Sequence, residues 1–114
     1  MAGVMAHLLV IDDKDGVLSC LSELGYTVKE AQDGREGVEL FYNGYNFDLV
    51  VTEIDMPRMH GNTVAQYIRR STKPKTPIVA IAGPGDNTNK ELFDFVLMRP
   101  FPLKTLHKVI KLLT

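Results

Sequence analysis

The sequence predicts an α/β protein, an open parallel sheet with helices packed against it. Two observations predict this class. Short, continuous apolar runs bounded by Gly, Pro or Asp alternate with segments whose apolar residues fall three or four apart. The first kind suits strands buried on both faces, and the second suits amphipathic helices. A third observation is size. A chain of 114 residues fits one domain spanning 1–114 and is too short for two. A domain of this length buries roughly two thirds of its extended-chain surface, enough to fold without metal or disulfide.

The elements follow in order. Leu8–Ile11 is the first strand run. Asp15 to Leu24 reads as a helix, with Val17, Leu18, Leu21 and Leu24 on its apolar side and Gly25 as its stop. Tyr26–Val28 is a weaker strand run. Gly34 to Tyr42 is the second helix, with Val38 and Phe41 three apart. Leu49–Val51 is the third strand run, and Asn62 to Arg70, carrying Val64, Tyr67 and Ile68, is the third helix. Ile78–Ala82 and Phe95–Met98 are the last two strand runs. Leu103 to Leu113 closes the chain, with Leu103, Leu106, Ile110 and Leu113 on one stripe. About a dozen residues, several of them Gly, Pro, Asp or Asn, separate the last two strands, and a crossover with its helix needs at least about 10–12. The fourth helix is therefore expected to be shortened to a turn or two around Lys90 to Asp94, or to be missing.

Composition narrows the function. Hydrophobic residues make up 45% and charged residues 24%, with a formal net charge of −1. That balance argues against non-specific nucleic-acid binding, which needs clustered positive charge. Cys20 is the only cysteine, so no intrachain disulfide forms. In its helical pattern it reads as a small packed hydrophobe, compatible with a reducing compartment. No apolar run reaches the roughly 20 residues needed to cross a bilayer. The apolar start, Met1 to Ala6, has no basic region before it, so a signal peptide is not expected. The expected location is cytoplasmic.

In open α/β sheets the crevice lies beyond the carboxyl ends of the strands. Asp12 and Asp13 follow the first strand, Glu53 ends the third, Ala82 ends the fourth and Arg99 ends the fifth. Together they form an acidic pocket of three carboxylates beside one guanidinium, with oxygen donors of the kind that suit Mg²⁺. Each residue also has a plainer reading: Asp13 as a helix cap, Glu53 as a solvated charge, Arg99 as a solvent-facing side chain. Arg99-Pro100 is a candidate cis bond and Pro102 suits the first turn of a helix; the plain alternative is two trans prolines in a loop.

These residues resemble the receiver domain of bacterial response regulators over essentially the whole chain. The matching stretches are LLVIDD at 8–13, AQDGREGVEL at 31–40, DLVVTEIDMPRMHG at 48–61, TPIVAIAG at 76–83 and RPF at 99–101. The resemblance implies a flavodoxin-like fold, with a five-stranded parallel sheet in 2-1-3-4-5 order. It implies phosphoryl transfer from a histidine kinase to an aspartate, with Mg²⁺ held by the acidic pair, the acceptor and a backbone carbonyl two residues later. It also implies a Thr or Ser after the fourth strand and a Lys before a cis proline, both binding phosphoryl oxygens.

Carried over residue by residue, the pattern holds only in part. Asp12 and Asp13 match the metal pair, and Asp55 stands at the carbonyl ligand. The acceptor position, four residues before Pro57, holds Glu53. The hydroxyl position holds Ala82, the lysine position Arg99, and the aromatic switch position Val96. Asp55 has the wrong offset from Pro57 to replace the acceptor. Glu53 stands either as a partial mimic of a phosphorylated aspartate or as a structural partner of Arg99. The resemblance thus implies a pseudo-receiver in two-component signalling, not an enzyme, acting through a protein partner such as a histidine kinase or a downstream signalling protein, as a monomer or weak homodimer. No cofactor is required, and Mg²⁺ affinity is weak, with Arg99 as the competing cation. The alternative is a working phosphoacceptor that receives phosphate with Mg²⁺. A metal-dependent hydrolase would need a base; His60 is the nearest candidate and reads as a solvated loop residue. The output face is open: either the region carrying Phe93 and Phe95, or that carrying Tyr42 and Tyr45.

Overall fold

The five apolar runs lie side by side in one parallel sheet. In the computed structural model, which describes residues 6–12 and 17–114 (backbone alone at 17–19), the strands are β1 (His7–Ile11), β2 (Thr27–Ala31), β3 (Leu49–Glu53), β4 (Ile78–Ala82) and β5 (Phe95–Met98). The helices are α1 (Val17–Glu23), α2 (Gly34–Tyr42), α3 (Gly61–Arg69) and α4 (Leu103–Leu113). The sheet order is β2-β1-β3-β4-β5, as the resemblance implied. The expected start of the first helix at Asp15 lies outside the described residues.

Side chains alternate across a strand, so each central strand supplies two core layers. Leu9, Ile11, Val50, Ala80 and Ala82 face one way and pack with Phe41, Val64, Ala65 and Ile68 of α2 and α3. Leu8, Val10, Val51, Val79 and Ile81 face the other way and pack with Leu21, Leu106, Val109 and Ile110 of α1 and α4. Every residue of β3 and β4 is buried. The edge strand β2 runs through Lys29 and Glu30 to Ala31, past the apolar run that announces it. It pairs with β1 alone, so its outer positions tolerate charge and the apolar signal is short. Tyr26 precedes the strand and is buried, its hydroxyl 3.2 Å from His107 Nδ1 on α4.

Between β4 and β5 the expected helix is reduced to a single 3₁₀ turn, Lys90–Leu92. With so little local structure, this connection is held from outside. Arg69, the last residue of α3, donates from Nε to the Leu92 carbonyl (3.1 Å) and from Nη1 to the carbonyls of Pro74 and Thr76 (both 2.7 Å). Its Nη2 pairs with Asp94 Oδ2 at 2.8 Å. Asp94 Oδ2 also accepts the Ile78 amide at 2.8 Å. One guanidinium thereby ties α3, the segment leading into β4 and the turn before β5.

Candidate functional site

Parallel register brings four strand ends to one rim. Ile11 sits opposite Thr52, Glu53 opposite Ile81, and Ala82 opposite Met98. The next step along the β1–β3 register is Asp12 beside Glu53. Asp12 continues from β1 and donates its amide to the Ala31 carbonyl at 3.0 Å. Arg99 leaves β5 and donates its amide to the Ala82 carbonyl at 2.9 Å. The Arg99–Pro100 bond is cis, and α4 starts shortly after it.

Two carboxylates of the rim are buried. Asp12 is 4% exposed and Glu53 2% exposed. Arg99 Nη1 lies 3.5 Å from Glu53 Oε2, with the Arg99 side chain one-third exposed. A strong charge-assisted bond is nearer 2.7–2.9 Å, so this is an ion pair through one nitrogen and not a closed fork. Ala82 is buried and presents a methyl group where a hydroxyl was expected. Val96 is half-buried against the α2–α3 core layer. The Asp55 side chain is exposed. Asp13, expected in the metal pair, lies outside the described residues.

The oxygen donors of Asp12 and Glu53 are of the class Mg²⁺ takes. The guanidinium beside Glu53 Oε2 stands in competition for one of those oxygens. Among the described residues, no group of three or more His, Cys, Asp or Glu side chains gathers at metal-ligand spacing.

The loops around the rim are fixed by contacts that sequence reading did not find. Gly61 lets the start of α3 close onto the end of β3: a Cβ there would stand 2.2 Å from the Glu53 carbonyl oxygen, and the Gly61 amide donates to the Ile54 carbonyl at 2.8 Å. His60 is not a solvated loop residue. It is half-buried, and its Nδ1 accepts the Asn62 amide at 3.1 Å, capping α3. That role places the proton on Nε2. Asn62 in turn donates to the Asn87 carbonyl (2.8 Å) and accepts the Asn89 amide (3.0 Å), while Asp86 Oδ2 accepts the Gly83 amide (2.7 Å). The loop after β4 is thus tied to α3. On the other side of the rim Arg58, in the left-handed region at φ 69°, pairs with Asp33 at 3.0 Å. The signal for these contacts is weak in sequence: Asn, Asp and His near helix starts favour side-chain bonds to backbone, but nothing in their spacing names the partner.

Comparison with known proteins agrees with this geometry. Residues 8–111 match the response regulator receiver domain family. The sensor histidine kinase CheAY of Helicobacter pylori is 35% identical over 89 residues, covering 73% of this chain and 11% of that protein. Response regulator RR06 of Streptococcus pneumoniae is 34% identical over 116 residues, covering 94% of this chain and 52% of that protein. The chain therefore spans between about a tenth and about half of the length of these relatives. Among solved structures, the chemotaxis response regulator CheY4 of Vibrio cholerae superposes with a TM-score of 0.84 at 27% identity, covering 96% of this chain and 99% of that one.

Proposed function

The chain belongs to the response regulator receiver domain family, a signalling module of two-component systems, and on that premise we propose that it signals through protein contacts without being phosphorylated. The observation that carries this reading is Glu53, which is buried and paired with Arg99; by the resemblance it holds the position of the acceptor, four residues before Pro57. An extra methylene displaces the carboxylate by roughly one C–C bond, ~1.5 Å. In-line phosphoryl transfer depends on placement, and a misplacement of about 1 Å costs on the order of 100-fold. Ala82 supplies no donor to phosphoryl oxygens. Arg99 replaces a compact ammonium with a planar fork that already contacts the acid.

The same residues disconnect the crevice from the surface. Ala82 has no hydroxyl to be drawn toward a phosphoryl group, and Val96 has no ring to turn. The loop after β4 is held by Asn62 and Asp86. Glu53 is therefore a structural partner of Arg99 that fixes one state of the domain. As a mimic it is incomplete, because a carboxylate carries one negative charge and a phosphate roughly −1.5 to −2. A metal at this rim competes with Arg99 for Glu53, so Mg²⁺ binds weakly and is not required. The partner is a protein, either a histidine kinase or a downstream signalling protein.

Incubation with acetyl phosphate and Mg²⁺ followed by intact-mass measurement tests the reading. No phosphate adduct is expected. An adduct localised to Glu53 or any other carboxylate would establish a working phosphoacceptor instead.

A further inference from the structure

At the opposite ends of α2 and α3 from the crevice, two adjoining cavities of about 430 Å³ and 380 Å³ share Tyr42 and Arg70 as walls. Tyr42 and Tyr67 are 51% and 45% exposed. Such exposure is high for rings of this size, yet the ring of Tyr42 is not loose. Its hydroxyl donates to the Tyr67 carbonyl at 2.7 Å, bridging α2 to α3, and the ring sits 6.0 Å from that of Phe41.

The charge of the groove is one-sided. The chain as a whole has 13 Lys and Arg against 14 Asp and Glu, but the cavity walls include Arg70 and Lys73 and not one carboxylate. Lys73 donates to the neutral amide of Asn46, so its charge stays uncompensated. The Arg70 side chain is exposed and, among the described residues, makes no hydrogen bond or ion pair. Its neighbour Arg69 spends every nitrogen on the fold.

We propose that this α2–α3 groove is a docking site for a protein segment that presents an acidic side chain next to apolar ones. The guanidinium of Arg70 takes the carboxylate, as its fork is suited to do, and the held face of Tyr42 with the exposed ring of Tyr67 takes the apolar neighbours. A ring held before binding, as that of Tyr42 is, loses little freedom on binding, and Tyr and Arg are among the residues that carry most interface energy. A nucleic-acid strand fits less well, because two cations in a chain of negative net charge neutralise too few phosphates. The proposal deepens the reading of the chain as a protein-contact module by naming a surface. It is tested separately from that reading, because phosphate uptake reports on the crevice and the following titration on the groove.

The test is an amide-resolved NMR titration with a short capped peptide alternating Glu and Leu, beside its Gln-for-Glu control. Saturable shifts are expected at Tyr42, Gly44, Arg70 and Ser71. Affinity is expected to fall at least about tenfold for the Gln peptide and for Arg70→Glu, the loss of roughly one charge-assisted contact. Arg70 is exposed, so that variant keeps its fold; Tyr42→Phe, which frees the ring from Tyr67, is expected to weaken binding by a smaller factor. Equal binding of the Gln peptide, undiminished binding by Arg70→Glu, shifts centred elsewhere, or no saturable shift would each overturn the assignment. Tighter binding of a short oligonucleotide at the same amides would overturn it in favour of nucleic acid.

Discussion

The two ends of this sheet are finished in opposite ways. At the carboxyl rim two carboxylates are buried: Asp12 and Glu53 are almost fully covered, and the part-exposed Arg99 leans on Glu53. At the far ends of α2 and α3 the ionisable groups stand in solvent, with Arg70, Tyr42 and Tyr67 arranged around open cavities. On the proposed reading, the crevice end serves packing and the exposed groups at the other end serve recognition. The comparison teaches that one sheet can bury carboxylates at one rim, where Arg99 pairs with Glu53, and leave the charges at the other end exposed.

The comparison is broken most severely at Gly61. A methyl group there meets the Glu53 carbonyl oxygen at 2.2 Å, and backbone cannot yield as a side-chain tip can. Gly61→Ala is expected to destabilise the domain by about 3 kcal/mol, the upper range of overpacking, read as a lower urea midpoint. A midpoint within the error of the parent would show that the α3 approach is looser than described.

Arg69 and Arg70 sharpen the comparison because they are neighbours with opposite duties. Arg69→Ala strips donors from three carbonyls and from Asp94 and is expected to cost about 2–3 kcal/mol. Arg70→Ala touches nothing in the fold and is expected to change stability by under about 0.5 kcal/mol. Similar losses for the two would erase the distinction between a structural and a recognition arginine.

The smallest effect concerns Tyr26, on the layer away from both sites. Burial raises its phenol above the ordinary 10.0, because the low-dielectric interior disfavours the phenolate. With the folded value raised, the stabilisation is complete below the ordinary value and is lost as pH rises through the folded one. Chemical melts above pH 10 are expected to show the parent losing stability faster than Tyr26→Phe. Parallel curves for the two proteins would contradict the assignment.

Much of this was legible in the sequence, for identifiable reasons. β4, β5, α2 and α4 have the bounds that the apolar spacing gives, because burial on both faces or along one stripe is written directly into hydrophobicity. The apolar signal covers only part of β2, because an edge strand carries Lys29 and Glu30 where a central strand would carry Val. The loss of a helix before β5 could be read from chain length and Gly, Pro and Asn content. Its replacement could not: the Arg69 latch joins α3 to Asp94 across 25 residues, and no local pattern encodes a long-range guanidinium contact. The same holds for His60 as a cap and for Asn62 as a clamp. Gly37 shows the limit from the other side. Its missing side chain leaves room for Ile11 Cδ1, which a Cβ would meet at 2.3 Å, yet in sequence it is only a glycine in a helix. At the site, the convergence of Glu53 and Arg99 followed from strand order. The 3.5 Å single contact between them did not.

The central claim is that Glu53 and Ala82 disable phosphoryl acceptance in an otherwise sound receiver fold. It is tested most directly by exposing the parent and the double variant Glu53→Asp, Ala82→Thr to acetyl phosphate and Mg²⁺, then weighing both intact. The account predicts a phosphate adduct on the double variant and none on the parent. An adduct on the parent, or a correctly folded double variant that takes up none, would contradict it.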